Sequence, residues 1–176
     1  MMLPSTSMLV IVDSPAIAYA DDVTIFSALK VLFDAAALFS VPSFVVRYSD
    51  RPAAGLIEAI CVSEAPEKNF LFEPTAAVWR TTILGKAIAD TNRKQLIVSG
   101  LWLEEAVTLL ALKSLAIGLD TFIPIDATAA VKPTHAITAQ ARLTQAGVVP
   151  TSCEQVLREW AALSGDSHLH GRVDLL

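Results

Sequence analysis

The stretch Gln95–Val107, QLIVSGLWLEEAV, constrains the fold more than any other part of the chain. Leu96, Ile97 and Val98 follow one another without a polar break, as expected of a strand covered on both faces. Gly100 predicts a sharp turn, and from Glu104 to Ile117 the apolar residues recur at helical spacing. Glu104 and Glu105 fall in the first turn of that helix, where carboxylates favour the positive end of its dipole, and Gly118 stops it. A buried strand that runs straight into a helix is how a parallel sheet delivers residues to its carboxyl edge.

The rest of the chain repeats this alternation. Met8–Val12 reads as a first strand ending at Asp13, and Asp21 or Asp22 caps a helix over Val23–Phe39, with Phe26, Leu29, Phe33 and Ala36 on one face. Ser43–Tyr48 and Asn69–Phe72 read as strands, the latter ending at Glu73-Pro74, with a short helix over Gly55–Ser63 between them. Trp79–Asp90 is helical in pattern. After the central unit come a strand over Thr121–Ile125 with Asp126 at its end, a helix over Thr134–Ala146 and a short strand over Val148–Pro150. Thr151 and Glu154 form a capping-box pattern that opens a last helix, which runs to about Leu163. Six strands alternating with helices predict right-handed crossovers and a three-layer α/β/α sandwich around a mostly parallel sheet. The expectation is one domain over residues 1–176, with its core at about 8–163 and a polar tail over 164–176.

Composition excludes several functions. The chain has 176 residues, enough for a sizeable core, and is 53% hydrophobic with a mean hydropathy of +0.53. No stretch reaches roughly 18 consecutive apolar residues, so no membrane association is expected. The apolar surplus fits doubly covered strands or helix faces buried between subunits, and the nearly all-apolar helix Glu104–Ile117, broken mainly by Lys113, predicts a homo-oligomer. A formal net charge of −5 offers no electrostatic footprint for nucleic acid. The opening residues lack the basic start and cleavage pattern of a signal peptide. Two cysteines, Cys61 and Cys153, make no disulfide framework, so a reducing, cytoplasmic setting is expected.

Ligands of open parallel sheets bind outside the carboxyl ends of the strands, where the strand order reverses. Asp13, Glu73, Gly100–Ala106 and Asp126 all fall at such ends, although loops are polar for other reasons as well. Cys61 and Cys153 read as inert, partly buried thiols. His135 starts a helix, and the His168-x-His170 pair lies in a polar tail without further ligands, so no metal site is expected. No glycine-rich phosphate loop or Gly-x-Ser-x-Gly elbow is present, and no cofactor is expected.

The segment SGLWLEEAVTLLALKSLAIGLDTFIPIDA resembles the part of isochorismatase-like cysteine hydrolases that reads Gly-Val/Leu-x-Thr-Glu-x-Cys-Val, then helix, Gly, strand and Asp-Ala. The resemblance covers roughly Met8–Leu163 and implies the isochorismatase-like, Rossmann-like topology. It places the family's catalytic Asp at Asp13, its basic residue at Glu73 and its nucleophilic Cys at Ala106. It also assigns Leu101, Trp102, Leu103, Glu104 and Asp126 to the lining of the substrate site, with Leu103 in place of the family's Thr and Pro15 in place of a Gln after Asp13. The same resemblance implies a non-proline cis peptide at Leu101-Trp102. In the family the Asp takes the thiol proton and the cation holds the thiolate, which Asp13, Glu73 and Ala106 do not reproduce.

Two functions follow as expectations. The first is a non-catalytic homo-oligomer that keeps the scaffold and binds a small molecule at most. The second is a hydrolase of small amides, esters or related compounds in which Asp13 and Glu73 form a carboxylate pair that activates water.

Overall fold

The computed structural model describes residues 1–13, 23–47, 69–72, 82–166 and 168. Its strands are β1 (Ser7–Asp13), β2 (Ser43–Arg47), β3 (Asn69–Leu71), β4 (Gln95–Leu101), β5 (Asp120–Pro124), β6 (Thr128–Ala129) and β7 (Val149–Thr151). Its helices are α1 (Val23–Leu38), α2 (Ile83–Asp90), α3 (Thr108–Ala116), α4 (Pro133–Ala146) and α5 (Cys153–Leu163). The strands lie in the order β3-β2-β1-β4-β5-β7, every pair parallel, with β6 added beside β4.

Consecutive apolar residues make the two central strands, because both sheet faces are covered. Every residue of β1 and β4 is buried. Leu9, Ile11 and Ile97 pack with Leu29, Leu32, Leu157 and Trp160 of α1 and α5 on one face. Met8, Val10, Val12, Leu96 and Val98 pack with Leu84, Ile88, Leu110 and Leu143 of α2, α3 and α4 on the other. This is the three-layer sandwich that alternation predicts, with six strands on the main path and the two-residue β6 in addition. Among the described residues no helix is long and apolar enough to cross a membrane.

The amino end of the sheet is closed by polar contacts. Gln95 donates from Nε2 to the Met1 carbonyl at 2.8 Å, and its Oε1 accepts from Leu3 N at 2.9 Å and Thr6 Oγ1 at 2.8 Å. The buried indole N–H of Trp160 donates to Ser7 Oγ at 3.2 Å. The carboxyl end is where an open parallel sheet offers a ligand crevice. The chain leaves β1 towards β2 and β3, then crosses back to β4 on the other flank of β1, so the strand order reverses between the carboxyl ends of β1 and β4.

The structure corrects several expectations. Gly100 does not turn the chain; β4 continues through it to Leu101, in register with Val12 of β1. Its φ is +112°, and a Cβ there would lie 2.2 Å from the Val12 carbonyl oxygen and 2.8 Å from Val12 N. Close backbone approach is therefore what requires a glycine. The following helix starts with a π-helical segment, Leu103–Val107, in which Glu105 has non-helical angles (φ −114°, ψ −105°), and only then becomes α3. The capping box of α5 is formed by Ser152 and Gln155, one residue beyond the predicted pair, because Thr151 is still in β7. Asp21, Asp22, the helix over Gly55–Ser63, the Trp79 end of the helix ending at Asp90, and most of the polar tail lie outside the described residues.

Gly100→Ala is expected to lower unfolding stability by more than about 3 kcal/mol, since both the contact and the backbone angle oppose it. Gly118, with φ +88° but open space within 4 Å of where a Cβ would stand, is the control. Gly118→Ala should cost only about 1–2 kcal/mol in the same urea titration. Equal losses would show that the Val12 contact is not the constraint.

Candidate functional site

At the reversal point β1 contributes Asp13, which is 1% exposed, and β4 contributes Leu101 and Trp102, which are 0% and 2% exposed. The Leu101-Trp102 peptide is cis, as the resemblance implies. Trp102 packs into the α1/α5 core, whereas Leu103 and Ala106 pack into the α2–α4 core. The chain thus changes core between Trp102 and Leu103, and the buried residues of the π-helical segment, Leu103, Ala106 and Val107, all lie in the α2–α4 core. Its start is held by Glu105 N and Val107 N, which donate to the Trp102 carbonyl at 3.1 and 3.4 Å. Ala106 presents a methyl group with 0% exposure among Leu103, Val107 and Leu110. The position therefore has no group able to attack a substrate.

The carboxylates at the strand ends have different surroundings. Glu104 Oε1 accepts from Val131 N at 2.9 Å and Lys132 N at 3.2 Å, and lies 3.7 Å from His135 Nδ1. It holds the loop between β6 and α4 onto the π-helical segment and faces α4. Asp126, in the turn Ile125–Ala127 after β5, accepts Cys153 N with both oxygens, at 2.9 and 3.1 Å. It thereby supplies a negative charge to the amino end of α5, where unpaired N–H groups and the helix dipole favour one. Glu73 lies outside the described residues.

Sequence reasoning did not single out Arg47. It ends β2 in direct register with Asp13, so both side chains leave the same face of the sheet at its carboxyl edge. Its Nε is buried without a hydrogen-bond partner. The signal that could have found it was a lone cation closing an apolar strand, SFVVR, immediately beside the strand that ends in Asp13. Ser99 was missed too: its buried hydroxyl donates to the Ala127 carbonyl at 2.6 Å and ties β4 to the turn after β5.

Cys153 is buried against α1, its thiol 3.6 Å from the Ala28 carbonyl. Burial first, and the neighbouring Asp126 carboxylate second, push this thiol up to about 12 from an ordinary value of 9.0. The helix-start position would favour a thiolate, but here it is outweighed. The unfolded thiol loses its proton first as pH rises past 9.0, while the folded one keeps it until about 12, so this group makes stability fall with rising pH in that window. A thiol-labelling reagent at pH 8 should modify Cys153 at least about a hundred-fold more slowly in the native protein than in urea, by peptide mass spectrometry. Rapid native labelling would contradict the assignment of an inert thiol.

Asp13 and a cis peptide after the central strand thus stand together at the carboxyl edge of a parallel α/β sandwich. The Isochorismatase domain family matches residues 20–155, and the chain belongs to that family of isochorismatase-like hydrolases. The probable hydrolase YcaC of Escherichia coli (strain K12) is 26% identical over 145 residues, covering 82% of this chain and 66% of that protein. The chain thus spans about two thirds of that curated relative's length. YcaC from Pseudomonas aeruginosa, solved with hexane-2,5-diol and covalent acrylamide, superposes with a TM-score of 0.77 at 23% identity, over 98% of this chain and 89% of that one. The E. coli YcaC gene product, described as an octameric hydrolase of unknown specificity, gives a TM-score of 0.79 at 20% identity, over 98% and 88%. At these identities the two structures show a shared fold.

Proposed function

We propose that this chain is a non-catalytic member of the isochorismatase family, a homo-oligomer that keeps the scaffold and binds at most a small molecule at the Asp13 crevice. The observation that carries the reading is Ala106: the residue that corresponds to the family's nucleophilic cysteine is a methyl group sealed in apolar packing. Leu103 takes the place of the family's Thr, and Glu73 that of its cation. Of the proposed lining residues, Leu101, Trp102 and Leu103 are buried beside the crevice, and Glu104 and Asp126 support its surrounding loops. The burial of Asp13 also weighs against a carboxylate pair, since a base that activates water must meet water.

Activity assays separate the two readings. The protein is expected to show no hydrolysis of a panel of small amides, esters and imines. Ala106→Cys alone should not restore efficient turnover, because in the family's arrangement the installed thiol would have Asp13 as its base but Glu73 in place of its cation, and like charge leaves less thiolate at neutral pH. Ala106→Cys combined with Glu73→Lys is the companion variant. Turnover by the unmodified protein that falls about 10²–10⁴-fold in Asp13→Asn or Glu73→Gln would establish the carboxylate-pair hydrolase instead. Efficient turnover by the single cysteine variant would show that Glu73 matters less than proposed.

The oligomer has separate support. Leu109, Leu112 and Leu115 of α3 are only partly buried within one chain, and Ile83 of α2 and Ile137 of α4 are 78% and 71% exposed. Apolar side chains left open on three helices of one face are what an interface between subunits would cover. The E. coli relative is described as octameric. Light scattering is expected to give a mass of at least two chains at micromolar concentration; a stable monomer would reject this part of the proposal.

A further inference from the structure

A cleft of about 360 Å³ lies against α4. It is lined by Glu104, Thr108, His135, Thr138, Ala139 and Arg142. Asp13 follows Leu9 and Ile11 by the two-residue period of a strand and so lies on the α1/α5 face, whereas Ala139 belongs to the α2–α4 core. Asp13 and the cleft thus lie on opposite faces of the sheet, while Glu104 is shared with the residues that the family resemblance assigns to the crevice, and to that extent the inference rests on the reading given above. Its volume lies within the range of small-molecule sites.

The charges in the cleft are arranged along its length. His135, Thr138, Ala139 and Arg142 are spaced i, i+3, i+4 and i+7 on α4 and share one face of that helix. His135 and Arg142 are then about 10 Å apart along the helix axis. Glu104 sits at the His135 end, 3.7 Å from its Nδ1. Its Oε1 is committed to two backbone N–H groups, while its Oε2 is buried with no hydrogen-bond partner. The carboxylate is thus half satisfied, and a buried acceptor without a donor is costly enough to call for an explanation. At the other end Arg142 is exposed, and no described carboxylate lies within ion-pair distance of it. Between the two ends Ala139 offers a small apolar wall.

We propose that this cleft binds a small linear zwitterion, with its ammonium group towards Glu104, its methylene chain along Ala139 and its carboxylate on Arg142. An ammonium is attracted to the negative Glu104 end, and a guanidinium holds a carboxylate through paired N–H groups. An anion alone would meet Glu104, and a cation alone would meet Arg142, so a ligand with both charges in this order is selected over either one.

The test uses 6-aminohexanoate as the probe, with hexanoate and hexylamine as single-charge controls, read by calorimetric titration of the full chain. The zwitterion is expected to bind about ten-fold or more tightly than either control, the gain of one charge-assisted contact. Arg142→Gln, at an exposed position with no folding burden, should reduce its affinity to that of hexylamine. Glu104→Gln keeps an oxygen for Val131 N and Lys132 N and should reduce it to that of hexanoate. If Glu104→Gln does not fold, Arg142→Gln and the ranking of the three ligands still decide the matter. Equal binding of the three, no binding at all, or binding unchanged in Arg142→Gln would overturn the proposal. A change of oligomer mass in Arg142→Gln would also overturn it, by showing that a second copy of the chain occupies the cleft.

Discussion

The approach of β4 to β1 at Gly100 is the contact on which the remaining geometry depends. Parallel neighbours lie about 4.8 Å apart, and any side chain at position 100 would meet the Val12 backbone before the strands reached that spacing. With glycine there, pairing continues to Val12 and Gly100, so Asp13 and the Leu101-Trp102 peptide follow directly from neighbouring strand ends. The chain then passes through five π-helical residues rather than a tight turn. That path puts Trp102 into one core and Ala106 into the other, and it couples the crevice to packing on both faces of the sheet.

Two carboxylates around this edge have structural partners of their own. Glu104 and Asp126 each accept backbone N–H groups from a segment 27 or 28 residues further along the chain. Hydrogen bonds to a charged acceptor contribute about 1.5–3 kcal/mol apiece, comparable to burying a large apolar side chain. One contact fastens the loop before α4 and the other fastens α5, so the two helices that flank the carboxyl edge are held independently of any ligand. A family can change its chemistry and retain these contacts, because the fold needs them in either case.

Much of the sheet was legible because doubly covered strands are written as unbroken apolar runs, and MLVIV and QLIV were identified on that basis. Strand and helix ends were less legible. Thr151 and Ser152 are both good caps by composition, and only the extension of β7 through Thr151 decides between them. β6 has two residues and no pattern to detect; it exists because Ser99 and Thr128 hold the turn after β5 against β4. Glycine at position 100 signalled an unusual backbone, but the sequence could not say whether a turn or a close contact required it. The partners of Glu104 and Arg47 depend on strand order, which no local window contains. Family resemblance supplied the cis peptide and the correspondence of Ala106, neither of which follows from periodicity.

Cys153 shows what this protein does to a thiol that is buried next to a carboxylate. Its proton is held until about pH 12, although it stands at the start of a helix, because desolvation and a like charge together outweigh the dipole. A thiol at position 106 would be equally buried, so desolvation would act on it in the same way. Lowering its pKa would require a cation close enough to offset that burial. Arg47 is the cation that the described structure brings to this edge, in register with Asp13 but one strand further from β4. Since an interaction between charges weakens with distance and with intervening solvent, a guanidinium one strand further away would act on a thiolate at position 106 less than a cation beside it would.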